Sequence, residues 1–376
     1  MPAGTDAPTV AADQLPNLPL GQHLGFKSFA ELDEARTTLV ERRVDEATAA
    51  GVDIARLFYD WNEVEPRLGQ YQFEGLRGEL GAAQARGQVV LVGLLVGGGE
   101  ELPAVPQEFL DTDPGGLGLD GFRDGLRFDS TEVADAYLAM LDRIMPELLT
   151  AGIWGLTVSN EPDNGFELMT DERAQKEADS LAGLLQAVSA HIQSIAPGVA
   201  VHFTMSSFSI REPHPALDVM IDASDIVSSN FLCLDGQSFT VADPSTIGPM
   251  LDRLVALADG RQVVIQELSC ASGPIDGTSV TKSSTALQDA WLGAFYRAME
   301  ERPAVRAAFV LDLVDWPAPM AVLYADFLRQ EGLDEVADKY QELLGTWGLL
   351  TYDIEPKPSW DGFLHAARQF ANRRQP

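Results

Sequence analysis

Eight short apolar runs rich in β-branched residues, helical patterns between them and a length of 376 residues predict an α/β fold, a single-domain (β/α)8 TIM barrel. Such a barrel needs about 250 residues and accepts large insertions. An apolar fraction of 45% supplies an ordinary globular core.

The runs read, in order, 23–29, 53–58, 89–96, 155–159, 200–206, 225–230, 263–266 and 307–314. Helical patterns fall between them, at 30–50, 131–151, 171–194, 283–301 and 333–344 among others. Gly51, Gly87, Gly152 and Gly260 each end a helical pattern just before a strand, where a left-handed C-cap favours glycine. The longest irregular stretch, 97–129, follows the third strand and would form a wall of the cleft at the strand ends. No linker-like stretch interrupts the middle, so residues 19–376 read as one domain. Residues 1–18, rich in Ala, Pro, Thr and Asp, read as a disordered or linker-like tail. They lack a basic n-region and an apolar h-region, so the chain carries no intact signal peptide and fits either a cytoplasmic protein or the mature form of an exported one.

Composition removes several classes. A net charge of −31 argues against nucleic acid and anionic membranes as partners. No apolar run reaches the roughly 20 residues of a membrane span. The basic residues number 26, with lysine only at 27, 176, 282, 339 and 357; an acidic, lysine-poor surface is either a salt adaptation or simply well solvated. Two cysteines exclude a disulfide-dense scaffold and a four-cysteine zinc site. No metal-spaced cluster and no phosphate-binding glycine loop appears, so neither a metal nor another cofactor is expected. Oligomeric state is left open.

Active sites of this barrel lie at the C-terminal ends of the strands. The fourth strand runs into Thr157-Val158-Ser159-Asn160-Glu161-Pro162, and the seventh into Val263-Val264-Ile265-Gln266-Glu267-Leu268. Two carboxyls so placed suit glycoside cleavage: one is held protonated to serve the leaving oxygen, the other stays ionised to attack the anomeric carbon. Either glutamate alone would fit an ion pair at a strand end equally well; the two together point to chemistry on a carbohydrate.

Asn160-Glu161-Pro162 resembles the Asn-Glu-Pro motif of the clan A glycoside hydrolases, retaining (β/α)8 enzymes with catalytic glutamates on strands four and seven. Arg56-Leu57-Phe58-Tyr59-Asp60-Trp61-Asn62-Glu63-Val64-Glu65-Pro66, continued by Gly69-Gln70-Tyr71, is similar to the clan's second-strand segment. Gly348-Leu349-Leu350 with Pro356-Lys357-Pro358-Ser359-Trp360 is similar to its closing segment. The resemblance spans about 24–370. It implies a retaining β-glycoside hydrolase with Glu161 as acid/base and Glu267 as nucleophile. Asn160 would meet the sugar 2-hydroxyl, and Arg56 would lie beneath the nucleophile and keep it ionised.

Two departures from the clan bear on the substrate. The end of strand six reads Asn230-Phe231-Leu232-Cys233, without the usual tyrosine. Strand eight carries Leu311 where a platform tryptophan is usual, with Trp316 the nearest indole. Tyr59, Trp61, Asn230 and Trp316 are therefore the further candidates for sugar contact. Phe166, Phe208 and Phe231 fit stacking or core equally, and His202 fits a satisfied buried histidine. A non-catalytic carbohydrate-binding barrel, a transglycosylase using the same two glutamates and a metal-dependent lyase or isomerase are the rival readings. Cys233 and Cys270 each follow a strand-end residue by three positions on neighbouring strands; they would be either a disulfide or two separate buried thiols.

Overall fold

Eight strands, β1 (His23–Phe26), β2 (Ile54–Asp60), β3 (Val89–Leu95), β4 (Ile153–Asn160), β5 (Ala200–Met205), β6 (Val227–Leu232), β7 (Val263–Ser269) and β8 (Val305–Val310), follow one another in chain order and close as a (β/α)8 barrel. The computed structural model describes residues 23–26, 34–98, 103–111, 118–235, 238–274, 278–330, 332 and 334–374. The tail expected at 1–18 and the end of the first predicted strand lie outside them. Registered pairings of β1 with β8 and of β2 through β5 with their successors are parallel. Val227 N donates to Gln262 O, and Leu311 N to Leu268 O, which carries the order through β7.

Strands covered on both sides are mostly apolar in sequence, as β3 is, while β6 is the exception, with Ser228, Ser229 and Asn230 buried in its middle. All six residues of β5 are buried, as are seven of the eight in β4. Gly93 pairs in register with Phe58, whose ring would come within 2.6 Å of any Cβ there, so glycine alone lets Phe58 fit.

The helices are α1 (Glu34–Ala49), α2 (Trp61–Val64), α3 (Glu74–Ala85), α4 (Thr131–Thr150), α5 (Asp171–Ile195), α6 (Leu217–Asp222), α7 (Ile247–Ala258), α8 (Thr285–Glu300), α9 (Ala318–Gln330), α10 (Asp334–Thr346) and α11 (Pro358–Arg374). The four glycines expected at helix ends all have positive φ, between 68° and 107°. Ser284 caps α8, its Oγ accepting from Leu287 N at 3.1 Å. After β3 the described part of the irregular stretch forms short 3-10 turns at Gln107–Phe109, Gly118–Gly121 and Arg123–Gly125.

The chain divides into two compact units. One is built from Ile54–Asn230 with Val255–Val264, and its core includes Trp61, Tyr137, Trp154, Phe166 and Phe203. The other carries α1, β1 and most of the chain from Phe231 onward. Its core centres on Phe231, whose ring lies 5.3 Å from Phe295 and 5.8 Å from Trp291. Tilted and edge-on aromatic pairs of this kind add about 0.5–1.5 kcal/mol each beyond their burial.

Candidate active site

Glu161 is the first residue past β4, and its backbone is left-handed at φ 49°, ψ 40°. Pro162 follows, and a residue before proline is already barred from the right-handed helical region. The Glu161 amide donates to Thr204 O on β5 at 2.7 Å, which ties the end of β4 to its neighbour. Pro162–Leu168 then forms a 3-10 turn, in which Asn164 N donates back to Glu161 O at 3.1 Å.

That turn returns a side chain to the glutamate. Asn164 Nδ2 donates to Glu161 Oε2 at 3.0 Å. From β6, Asn230 Nδ2 donates to Glu161 Oε1 at 2.7 Å and makes a longer contact of 3.4 Å with Asn160 Oδ1. Asn160, Glu161 and Asn230, all singled out from the sequence, are thus brought together. Glu161 and Asn160 are half-buried, while Asn230 is fully buried. Asn230 was expected to meet sugar; its amide is instead engaged with the two residues of the β4 end.

Two residues past Glu161 lies a carboxylate that the sequence alone did not single out. Asp163 is 3% exposed and accepts from Ser206 N, Ser206 Oγ and Ser209 Oγ. Burial pushes its carboxyl above the usual range, against the downward pull of these donors. The bonds lock the turn after β4 onto the loop after β5. Only the seryl-rich stretch Ser206-Ser207-Phe208-Ser209 hinted at it, and serines in loops are too common to single out.

The other expected site residues fall as follows. Arg56 is buried on β2, its guanidinium 3.7 Å from the centre of the Phe58 ring, two positions along the same strand. Glu267 is half-buried and lies within β7, which runs two residues past it and three past the predicted end at 266. Trp316 is half-buried; its Nε1 donates to Asp312 Oδ2 at 2.9 Å, and its ring meets Trp347 and Tyr324 edge-on.

Two sugar-contact expectations are corrected. Trp61 is 0% exposed: its Nε1 donates to buried Glu65, and Tyr137 and Phe109 pack against its ring. It is a core residue with no face to offer a ligand. Tyr59 has the opposite parity to Arg56 and Phe58 on β2, and it packs against Gly75 of α3. Its hydroxyl bonds Glu79 of the same helix, and burial holds its proton more firmly than usual. Phe166 and Phe231 are also core, and His202 is buried with Nε2 3.0 Å from Thr157 Oγ1.

Cys233 and Cys270 form a disulfide with Cα atoms 4.9 Å apart. Cys233 N donates to Ser269 O, so the bond lies beside the last hydrogen bond described between the ends of β6 and β7.

No family model matches the sequence, and no curated protein matches it by sequence. Solved structures do share the fold. A GH5_18 protein from Bifidobacterium longum subsp. longum, solved with Manβ1-4GlcNAc, superposes with TM-score 0.66 at 15% identity over 93% of this chain and 78% of that one. A GH5_18 protein from Streptomyces cattleya with the same disaccharide gives TM-score 0.66 at 17% identity, over 93% and 80%. An exo-β-1,4-mannosidase from Opitutaceae bacterium strain TAV5 gives 0.64 at 17%, over 97% of this chain and 63% of that one. The barrel is therefore one shared with glycoside hydrolases, in keeping with the resemblance to clan A.

Proposed function

We propose that the chain is a retaining β-glycoside hydrolase working by double displacement, with Glu161 as acid/base and Glu267 as nucleophile. The observation that carries the reading is Glu161 itself: a half-buried carboxylate at the C-terminal end of β4, in a left-handed backbone, with an amide donor on each oxygen. Strained backbone around an ionisable group at a strand end is where this barrel keeps its chemistry.

In the first half of the reaction the Glu267 carboxylate attacks the anomeric carbon while Glu161 gives its proton to the leaving oxygen. In the second half water displaces Glu267 from that carbon and gives a proton to Glu161. Asn160 binds the 2-hydroxyl, and Trp316 supplies the flat floor that Leu311 cannot. The sugar proposed is a β-mannoside, because the fold neighbours include an exo-β-1,4-mannosidase and proteins solved with Manβ1-4GlcNAc.

The test is the stereochemistry of hydrolysis of an aryl β-mannoside followed by proton NMR. The β-anomer should appear first. In Glu267→Ala, turnover should vanish and azide should return the α-glycosyl azide. A first-formed α-sugar in the parent enzyme overturns the nucleophile assignment, and no turnover on any member of a β-linked panel leaves carbohydrate binding alone.

A further inference from the structure

The amide pair around Glu161 has a chemical asymmetry. Both Asn164 and Asn230 present Nδ2 to it, one to each carboxylate oxygen. Two N–H donors suit the ionised carboxylate and fix its plane. A carboxyl group that carries a proton has the opposite need on one side, because its O–H must find an acceptor. Asn230 holds such an acceptor in reserve. Its side chain is fully buried, and its Oδ1 has no hydrogen-bond partner among the described residues. A buried amide oxygen left in that state calls for an explanation. Its own Nδ2 also reaches Asn160 Oδ1, so the amide sits between the two residues that end β4.

We propose that Asn164 and Asn230 are positioning residues that match Glu161 to its two protonation states, with Asn230 turning its amide between them. The proposal rests on the reading of Glu161 as acid/base. In the second half-reaction the water oxygen bonds to the anomeric carbon. The carbon–oxygen bond to Glu267 breaks with its electron pair returning to that carboxylate, and the water proton passes to Glu161. Here both amides donate. Before the first half-reaction Glu161 carries the proton that will go to the leaving oxygen. A half-turn of the Asn230 amide then brings Oδ1 to accept from the Glu161 O–H, and the orphaned oxygen of one state becomes the partner of the other.

Asn230→Asp tests the point, since aspartate keeps the acceptor and loses the donor. It should share one proton with Glu161, which supports the acid half and starves the base half. On dinitrophenyl β-mannoside, whose leaving group needs no acid, kcat should fall by about thirtyfold or more. Azide attacks without yielding a proton, so it should restore kcat to within about threefold and give β-mannosyl azide. On phenyl β-mannoside, kcat/KM should stay within about fivefold of the parent. Equal losses on both substrates, or no response to azide, overturn the proposal. If Asn230→Asp does not fold, half-exposed Asn164→Asp reads the same quantity from the other oxygen: an azide-rescued loss supports the proposal and equal losses overturn it. Glu161→Ala separates the two levels. If that variant keeps azide-insensitive turnover on both substrates, the acid/base reading itself falls; if it behaves as an acid/base deletion while Asn230→Asp and Asn164→Asp do not, only the role of the amides falls.

Discussion

Lys357 Nζ lies 2.6 Å from Asp315 Oδ1, with both side chains buried. The same ammonium donates to Ser272 Oγ, Thr346 O and Gly348 O at 2.9–3.0 Å, and Gly348 N donates to Asp315 Oδ1 at 2.8 Å. Burial pushes the Asp315 carboxyl up to about 6 and the Lys357 amine below its usual range, while each charge partly offsets this for the other. The pair clamps the turn after β8, where Trp316 sits, to the closing segment before α11.

Removing one member of such a pair strands the other charge. Lys357→Met should destabilise the fold by about 3–5 kcal/mol. Lys357→Met combined with Asp315→Leu should recover most of that, because an apolar pair needs no partner. Guanidinium unfolding of the three proteins decides it; a double variant no better than the single one contradicts the expectation.

Asp163 gives a signed dependence on pH. Its folded value is raised, so the native chain holds this proton more tightly than the unfolded chain does. Its contribution to stability is present below the unfolded value of about 3.9 and is lost as pH rises through the folded one. Asp163→Asn removes the titration. The stability of the variant relative to the parent should therefore grow as pH rises from about 4, at no more than about 1.4 kcal/mol per unit. Isothermal denaturation at a series of pH values measures it, and a flat or shrinking difference speaks against it.

Trp316→Ala should lower kcat/KM on an aryl β-mannoside at least about tenfold, or roughly 1.4 kcal/mol, with a smaller change in thermal midpoint than Lys357→Met. Trp316→Phe keeps a flat ring while losing the indole donor to Asp312, and should retain most of the activity. A Phe variant as impaired as the Ala variant would make the Asp312 bond the important feature.

Thiol titration of the denatured chain should find no free cysteine before reduction. The bond closes a separation of 37 residues, for which chain entropy predicts about 4 kcal/mol of stabilisation. Cys233→Ser with Cys270→Ser should lower unfolding free energy on that order. Loss below about 1 kcal/mol would mean that β6 and β7 hold their ends together unaided.

The barrel was legible because parallel strands buried on both sides are mostly apolar runs, as β3 and β4 are here. All eight predicted strands are present, with ends displaced by a few residues, because hydrogen bonding does not stop where hydropathy does. The glycines at helix ends were equally readable, since few other residues adopt that conformation. Side-chain parity was harder. Tyr59 and Trp61 follow Arg56 of β2 by three and five positions, yet the two-residue period of β2 turns Tyr59 to α3, and the helical start of α2 turns Trp61 inward. Asn164 escaped notice because its relation to Glu161 exists only once residues 162–168 coil back, and nothing in Pro-Asp-Asn-Gly announces which side chain will return.

On the role proposed for Glu161, its left-handed backbone sets heat resistance and turnover against each other. A side chain there raises the energy of the fold by about 1–2 kcal/mol relative to glycine. Glu161→Gly relieves that strain at the expense of two amide bonds, and asparagine, which tolerates the conformation, does so while keeping a polar group. A library enriched only by survival at high temperature would thus drift away from glutamate at this position. Directed evolution of this barrel for durability needs a catalytic screen in every round.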